Sequence, residues 1–306
     1  MQILPILKKS LWALGLVLAT SSFVSAEAPL ELKKESRIVG GTKAPLGAWP
    51  STVALLQTSK LNQGNFSAQF CGATLISSKW VLTAAHCVVD GSPAKQVSAA
   101  SITALLDTSD LSFGGIKYDV KRIVVHPDYD QAGDADIALL ELKYDTGIRT
   151  IRVTGADVAT AKLAMVVGWG AMDKDEEYFP ERLREVEVPV ISRAVCENVY
   201  GDEFTQNMFC AGYDAGGKDT CKSDSGGPLM VIENGQYVQA GITSWGVGCA
   251  LPGQYGVYTR LSRFKGWIDA YKNTSSDDSG GGSLFFLLLP LALIIPVRRK
   301  LKVVAK

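Results

Sequence analysis

The sequence has little histidine and no cysteine pair of the Cys-x-x-Cys type. Its 306 residues include only two histidines, and its six cysteines are all spaced further apart. Because zinc sites are built mainly from such cysteine pairs and histidines, we expect no metal and no other cofactor. The chain also has no net charge, and its central region has no polybasic block. The sequence therefore lacks the charge pattern that is typical of nucleic-acid-binding proteins, so no nucleic acid partner is expected.

The first 26 residues have the layout of a secretory signal peptide. Lys8 and Lys9 precede a short apolar run from Leu11 to Leu18, and small residues end the segment at Ala26. A membrane anchor is the alternative, but the apolar run is short for one. Residues 27–37 are polar and charged and are interpreted as a propeptide. In an exported chain, an even number of cysteines indicates disulfides, here three, whose pairing the count leaves open.

Short apolar and β-branched runs, broken by Gly, Pro, Asp and Asn, fill residues 38–261. This pattern predicts an all-β sandwich or barrel. The clearest runs are residues 51–56, 73–76, 118–125, 137–142, 164–169, 237–245 and 256–261. Over Ser262–Lys272, large apolar residues recur at helical spacing instead. They predict a helix that packs on the β domain.

The C-terminal end differs in composition from the rest. Residues 273–283 are rich in Gly, Ser and Asp and are interpreted as a flexible linker. Residues 284–297 are apolar but contain two prolines, and the basic residues Arg298, Arg299, Lys300 and Lys302 follow. As a helix this segment would span about 21 Å, less than the roughly 30 Å of a bilayer core. We interpret residues 284–306 as a sorting or anchoring tail that contacts the membrane before a tail-processing protease acts.

The strongest chemical signal is the segment CKSDSGGP at residues 221–228. A serine such as Ser225 is a poor nucleophile until a neighbouring base takes its proton. His86, in the segment TAAHC, is the candidate base, whereas His126 precedes a proline and is typical of a loop histidine. Asp136, at the start of DIALL, is the candidate carboxylate that orients the base, with Asp134 as the alternative.

Together these segments resemble the trypsin/chymotrypsin family of serine proteases over residues 38–272. The family order is kept by IVGG from Ile38, TAAHC around His86, DIALL from Asp136 and SDSGGP around Ser225. The resemblance implies an all-β fold of two antiparallel six-stranded β-barrels with a C-terminal α-helix. It also implies that Ser225 attacks the scissile carbonyl, that His86 transfers the proton, and that Asp136 orients His86.

In this family the backbone N–H groups of Ser223 and Ser225 would form the oxyanion hole. The family pattern has glycine where this chain has Ser223. A side chain there restricts the backbone, which raises the hypothesis that the oxyanion hole is unformed without substrate.

The resemblance also implies a primary pocket with Asp219 at its floor, which pairs with Arg or Lys of the substrate. The other implied substrate-binding residues are Ser244, Trp245, Gly246 and Gly256.

Activation is implied at the Arg37–Ile38 bond. Cleavage there would free an α-amino group on Ile38, which would pair with Asp224. The activating protease is either another enzyme or, as a hypothesis, the protein itself. Self-cleavage is conceivable because the activation site ends in Arg37, and the expected specificity is for Arg or Lys. The implied disulfides are Cys71–Cys87, Cys196–Cys210 and Cys221–Cys249.

The tail is similar to the glycine-glycine sorting tails of Gram-negative exported proteins, which are cut by a rhomboid-type protease. A eukaryotic lipid-anchor signal and a plain tail anchor remain as alternatives. We therefore expect a secreted or cell-surface protein. If the source is a Gram-negative bacterium, the expected location is its outer surface.

The sequence thus predicts a secreted serine endopeptidase, made as a zymogen, that cuts protein or peptide substrates after Arg or Lys. One alternative is a catalytically weak, protease-like binding protein, which Ser223 would favour. Another is a structural protein of the membrane surface, which explains the tail but not the triad.

Overall fold

A computed structural model describes residues 40–91, 94–173, 175 and 177–272. The expected signal peptide, propeptide, linker and tail lie outside the described residues, as do Arg37 and Ile38. In chain order, the strands are β1 (Thr42–Lys43), β2 (Thr52–Gln57), β3 (Gln69–Leu75), β4 (Trp80–Thr83), β5 (Val89–Asp90), β6 (Lys95–Gln96), β7 (Ile102–Leu106), β8 (Ile116–Val125), β9 (Ala138–Leu142), β10 (Leu163–Gly168), β11 (Arg184–Pro189), β12 (Met208–Ala211), β13 (Pro228–Glu233), β14 (Gln236–Trp245) and β15 (Gly256–Arg260).

The helices are few and short. The α-helices of the described residues are α1 (Asn65–Ala68), α2 (Arg193–Tyr200) and α3 (Leu261–Lys272). The 3-10 helices are Thr58–Gln63, Ala85–Cys87, Ala99–Ser101 and Gly201–Glu203. The molecule is therefore mostly β, as the short apolar runs predict.

Six antiparallel strands close into the first barrel, in the order β2-β3-β4-β9-β8-β7. Its interior is filled by apolar side chains that water does not reach, which removes a large apolar area from solvent. The largest of them are Leu55, Leu75, Leu82, Leu106 and Leu140. The pairing of β4 with β9 sets Thr83 opposite Ala138, so the end of β4 and the start of β9 lie side by side.

The second barrel that we expected is found in part, as a half-barrel. The C-terminal half forms a seven-stranded antiparallel sheet in the order β1-β11-β10-β13-β14-β15-β12. The edge strand β12 meets the end of β11 through a bridge between Val190 and Ala211. Because this contact is an isolated bridge and not a ladder, the sheet is not a closed barrel.

Helix α3 packs its apolar face against the first barrel, as the helical spacing predicts. Phe264 and Ile268 are buried in the same apolar cluster as the barrel residues. The His126 ring lies 5.0 Å from the rings of both Phe264 and Trp267. Because the nearest groups to His126 are this helix and its own turn, it is part of the packing.

Three disulfides join Cys71 to Cys87, Cys196 to Cys210 and Cys221 to Cys249. These are the pairs that the resemblance implies. They close loops of 14 to 28 residues in sequence separation. Constraining an unfolded chain by one such loop contributes about 3 kcal/mol to stability.

Within the described part of the chain, every helix is too short or too polar to cross a membrane.

Candidate active site

The paired strands β4 and β9 bring His86 and Asp136 together. His86 lies in the 3-10 helix that follows β4, and Asp136 lies just before β9. Oδ2 of Asp136 is 2.8 Å from Nδ1 of His86. Oδ1 of Asp136 accepts a 2.9 Å hydrogen bond from the His86 backbone N–H. Two contacts to one carboxylate fix both the backbone and the ring of the histidine.

Asp136 is held in place from the other half of the molecule as well. It is 2% exposed, and the hydroxyl of Ser244 donates to the same Oδ2 atom that contacts the His86 ring. The hydroxyl of Thr259 donates to the Asp136 backbone carbonyl over 2.7 Å. The carboxylate is therefore anchored by residues of β14 and β15 before any substrate binds.

Charge and burial oppose each other in this pair. Burial disfavours the charged forms of both groups, but their mutual attraction and hydrogen bonds outweigh it. The pKa of His86 is raised from its ordinary value, and the pKa of Asp136 is lowered. The pair therefore favours an ionised Asp136 and strengthens His86 as a base.

The backbone of Ser225 lies close to β3 and to Cys87, the residue that follows His86. Its carbonyl accepts a 2.7 Å hydrogen bond from the N–H of Gly72 on β3. The sulfur of Cys87 lies 3.6 Å from that carbonyl oxygen and 3.8 Å from Nε2 of His86. The same sulfur atom thus lies close to both the backbone of Ser225 and the ring of His86.

The glycines around Ser225 are required by the close approach of backbones. A Cβ atom on Gly72 would lie 2.9 Å from Cα of Gly227. Gly226 has φ +79°, and a Cβ there would lie 2.5 Å from the carbonyl oxygen of Gly72. Side chains at these positions would push Ser225 away from β3.

Ser223 adopts a backbone conformation that glycine favours. Its φ is +73°, in the left-handed region. The preceding carbonyl, that of Lys222, accepts a 2.9 Å hydrogen bond from the N–H of Ala171. The departure from the family pattern therefore falls at a position where a side chain strains the backbone.

Asp219 and Ser225 line the same pocket. The pocket has a volume of about 150 Å³, and Ser225, Ser244, Trp245, Gly246 and Gly256 all line it together with Asp219. A Cβ atom on Gly256 would lie 2.9 Å from Oδ1 of Asp219, whereas one on Gly246 would meet nothing closer than 3.8 Å. Glycine at 256 therefore makes room for the carboxylate, and glycine at 246 leaves room inside the pocket.

The Asp219 carboxylate is buried, with 4% of the residue exposed. Burial raises its pKa to about 6, although the N–H groups of Ala250 and Thr220 donate to it over 3.1 and 2.8 Å. A buried carboxylate in the lining of a pocket favours a cationic ligand, which would stabilise its charge.

Asp224 lies in a second, closed setting next to Ser225 in the sequence. Its carboxylate accepts hydrogen bonds from the N–H groups of Gly170, at 2.7 Å, and Cys221, at 3.1 Å. Cβ atoms on Gly168 and Gly170 would lie 2.1 and 2.2 Å from its oxygens, so the segment GWG encloses the carboxylate. Complete burial raises the pKa of Asp224 to about 7.

Asp134, the alternative carboxylate, has a different position. Its side chain accepts hydrogen bonds from Thr205 at 2.6 Å and from Asn207 at 3.0 and 3.1 Å. Asp136 is the carboxylate that contacts His86.

Two residues of the site were missed or misread in the sequence. Ser244 lines the pocket, but its hydroxyl donates to Asp136, a contact that its motif does not reveal. Gln69 donates a 3.0 Å hydrogen bond to the carbonyl of Ser223. No local pattern marks Gln69, because the contact spans 154 residues of sequence.

Comparison with known proteins gives the same class as the geometry. A buried carboxylate, a histidine and a serine next to a pocket, on this β fold, define a serine hydrolase site. The chain matches the protein family described as Trypsin over residues 38–268. The chain therefore belongs to the trypsin family and is a serine protease.

Two relatives illustrate the extent of the similarity. Trypsin-1 of Astacus astacus is 36% identical over 239 residues, covering 76% of this chain and 99% of that protein. The Suppressor of tumorigenicity 14 protein homolog of Bos taurus is 39% identical over 249 residues and 78% of this chain. The chain spans only 28% of the bovine protein.

Proposed function

We propose that this protein is an endopeptidase that hydrolyses peptide bonds after Arg or Lys, with Ser225 as nucleophile, His86 as base and Asp136 as the orienting carboxylate. The contact of Asp136 with His86 supports these roles, because it fixes the imidazole tautomer whose Nε2 can accept a proton. The Cys87 sulfur lies close to both the Ser225 backbone carbonyl and Nε2 of His86, which supports placing residue 225 near the base.

The chemistry follows from these positions. Nε2 of His86 takes the hydroxyl proton as Ser225 Oγ bonds to the scissile carbonyl carbon and the carbonyl electron pair moves to its oxygen. The N–H groups of Ser223 and Ser225 donate to that oxyanion. When the oxyanion collapses, the amine leaves with the proton from His86 and an ester on Ser225 remains. Water then attacks the ester in the same way, releasing the carboxylic acid and restoring the serine.

The single observation that carries the specificity is that Asp219 and Ser225 line the same pocket. The end of a long cationic side chain would reach a carboxylate that backbone N–H groups already orient. A guanidinium or ammonium group there would form charge-assisted hydrogen bonds with a carboxylate that is almost fully buried.

The zymogen proposal rests on Asp224. A buried carboxylate without a cation is unfavourable, which is why its pKa is raised to about 7. An ammonium group on Ile38, freed by cleavage after Arg37, would supply the missing charge. Gly40 supports a tight fit of the new N-terminal segment, since its φ is +81° and a Cβ there would lie 2.2 Å from the Gly217 carbonyl oxygen.

Export of the protein is supported by the three disulfides, which form in oxidising compartments. The proposed signal peptide and tail would direct the chain to the cell surface or to secretion. Retention of the tail, its removal by a tail-processing protease and exchange for a lipid would each give a different mature mass.

The specificity is tested with peptides that differ only in the residue before the cleaved bond. Protein cleaved at Arg37 should hydrolyse Arg and Lys peptides with kcat/KM at least about 10³-fold above Leu and Glu peptides. Asp219→Asn should remove that preference, whereas Asp214→Asn, a carboxylate that accepts from the Tyr255 hydroxyl at 2.7 Å, should retain it. Equal rates on all four peptides would refute the proposed specificity.

A further inference from the structure

Gln69 contacts the one residue of the proposed oxyanion hole that departs from the family pattern. Its side-chain amide donates a 3.0 Å hydrogen bond to the carbonyl oxygen of Ser223. Gln69 is the first residue of β3, in the barrel that carries His86. The contact therefore joins the first barrel to the loop of the nucleophile.

Ser223 needs support because of its backbone. At φ +73° a side chain crowds the following carbonyl, a conflict that glycine does not have. Left alone, such a residue tends to relax towards negative φ, and the relaxation would rotate the N–H that is aimed at the substrate oxygen.

Two hydrogen bonds oppose this relaxation, one on each side of Ser223. The carbonyl before it, that of Lys222, accepts from Ala171 at 2.9 Å, and its own carbonyl accepts from Gln69 at 3.0 Å. Both soft dihedrals of Ser223 lie between these two carbonyls, so fixing the two peptide planes fixes its backbone. In a trans peptide the N–H points opposite to the preceding C=O, so the Ala171 contact directs the Ser223 N–H away from Ala171.

Gln69 is itself held firmly. Its backbone N–H donates to the carbonyls of Asn65 and Phe66 at the end of α1. Three residues further along β3, Gly72 donates to the Ser225 carbonyl over 2.7 Å. One strand thus holds the carbonyls of both residues whose N–H groups would form the oxyanion hole.

We propose that Gln69 is a positioning residue of the oxyanion hole, whose amide holds the Ser223 peptide and offsets the strain of a side chain at that place. It touches neither the substrate nor the reacting atoms. The inference rests on the proposed function, since it assigns a supporting residue to the same site.

The first test replaces Gln69 by methionine, which keeps a similar volume and removes the donor. Losing one such hydrogen bond should lower kcat about five- to tenfold, with KM nearly unchanged because the Asp219 pocket is not altered. Gln131→Met is the matched control, since the Gln131 amide also donates to a backbone carbonyl, that of Gly91, over 2.9 Å. The control should keep wild-type kcat. Thermal unfolding of each variant shows whether it is folded.

The second test adds Ser223→Gly to both the wild-type and the Gln69→Met protein. Glycine adopts positive φ without strain, so the kcat loss caused by Gln69→Met should become at least about threefold smaller with glycine at position 223 than with the native serine. A merely structural role of Gln69 would lower the unfolding midpoint equally in both backgrounds and show no such coupling in kcat.

Three results would overturn the inference: wild-type kcat in a folded Gln69→Met protein, the same loss with serine and with glycine at position 223, or a change confined to KM. An inactive wild-type protein, cleaved at Arg37 and unreactive at Ser225, would instead refute the proposed function itself. The two failures are therefore distinguishable.

Discussion

The hydroxyl of Ser244 donates its hydrogen bond to Oδ2 of Asp136, the same oxygen that contacts the His86 ring. Ser244 lies on β14 of the seven-stranded sheet, whereas His86 and Asp136 belong to the first barrel. One carboxylate oxygen therefore couples the orientation of the base to the relative placement of the two halves of the site.

Ser244→Ala should lower kcat by up to about tenfold, because it removes one of the donors that hold Asp136. The hydrogen bond from Ser244 lowers the pKa of Asp136, so its loss concentrates charge on the carboxylate and raises the pKa of His86 further. The acid limb of the kcat/KM profile should move to higher pH. Ser262→Ala, which removes a serine that donates to Asp157 on the surface, should change neither quantity.

Asp136→Asn should lower kcat by about 10⁴-fold, the loss that this substitution causes in the enzyme from which the triad was defined. The amide cannot hold the His86 tautomer that accepts a proton from Ser225. Asp134→Asn alters a carboxylate bound to Thr205 and Asn207 and should retain most of the activity. If both variants lost activity equally, Asp136 would have no special role.

Binding of a small amidinium inhibitor should depend on the charge of Asp219. With a pKa of about 6, the empty carboxylate is protonated at lower pH and loses its attraction for a cation. Affinity should rise as pH rises through about 6, by at most about tenfold per pH unit, and then level off. Titration calorimetry should show a flat, weak profile for Asp219→Asn. A pH-independent affinity in the unmodified protein would contradict this account.

The stability of the uncleaved precursor should fall as pH rises. Asp224 keeps its proton up to about pH 7 when folded but loses it near its ordinary pKa when unfolded. Above that ordinary pKa, the free energy of unfolding therefore decreases as pH rises. The decrease is about 2 kcal/mol between about pH 5 and about pH 7. Denaturant unfolding of Ser225→Ala precursor measures this slope. The double variant with Asp224→Asn should lose that part of the slope, and cleavage after Arg37 should reduce it.

Much of the fold could be predicted because it depends on local patterns. The runs at residues 118–125 and 256–261 correspond to β8 and β15, and the predicted helix Ser262–Lys272 differs from α3 by one residue at its start. Closure of a sheet depends instead on how its edges meet. A count of strands does not show that β11 and β12 meet at an isolated bridge, so a closed barrel was expected where the structure has a half-barrel.

The site divides in the same way. Local sequence motifs predict four of the site residues, namely His86, Asp136, Ser225 and Asp219. Gln69 stands in no such motif, and its importance depends on a carbonyl 154 positions away. The strain at Ser223 could be suspected from the missing glycine, but the bonds that oppose it are visible only in three dimensions.

The nucleophile itself offers the most direct measurement. Protein cleaved at Arg37 is treated with a serine-directed phosphonate that carries a cationic side chain, and the modified residue is located by peptide mass analysis. We predict one adduct per molecule on Ser225, none in Ser225→Ala, and a parallel loss of cleavage of Arg-ended peptides. An unlabelled Ser225 in folded, cleaved protein that also fails to hydrolyse these peptides would contradict the account.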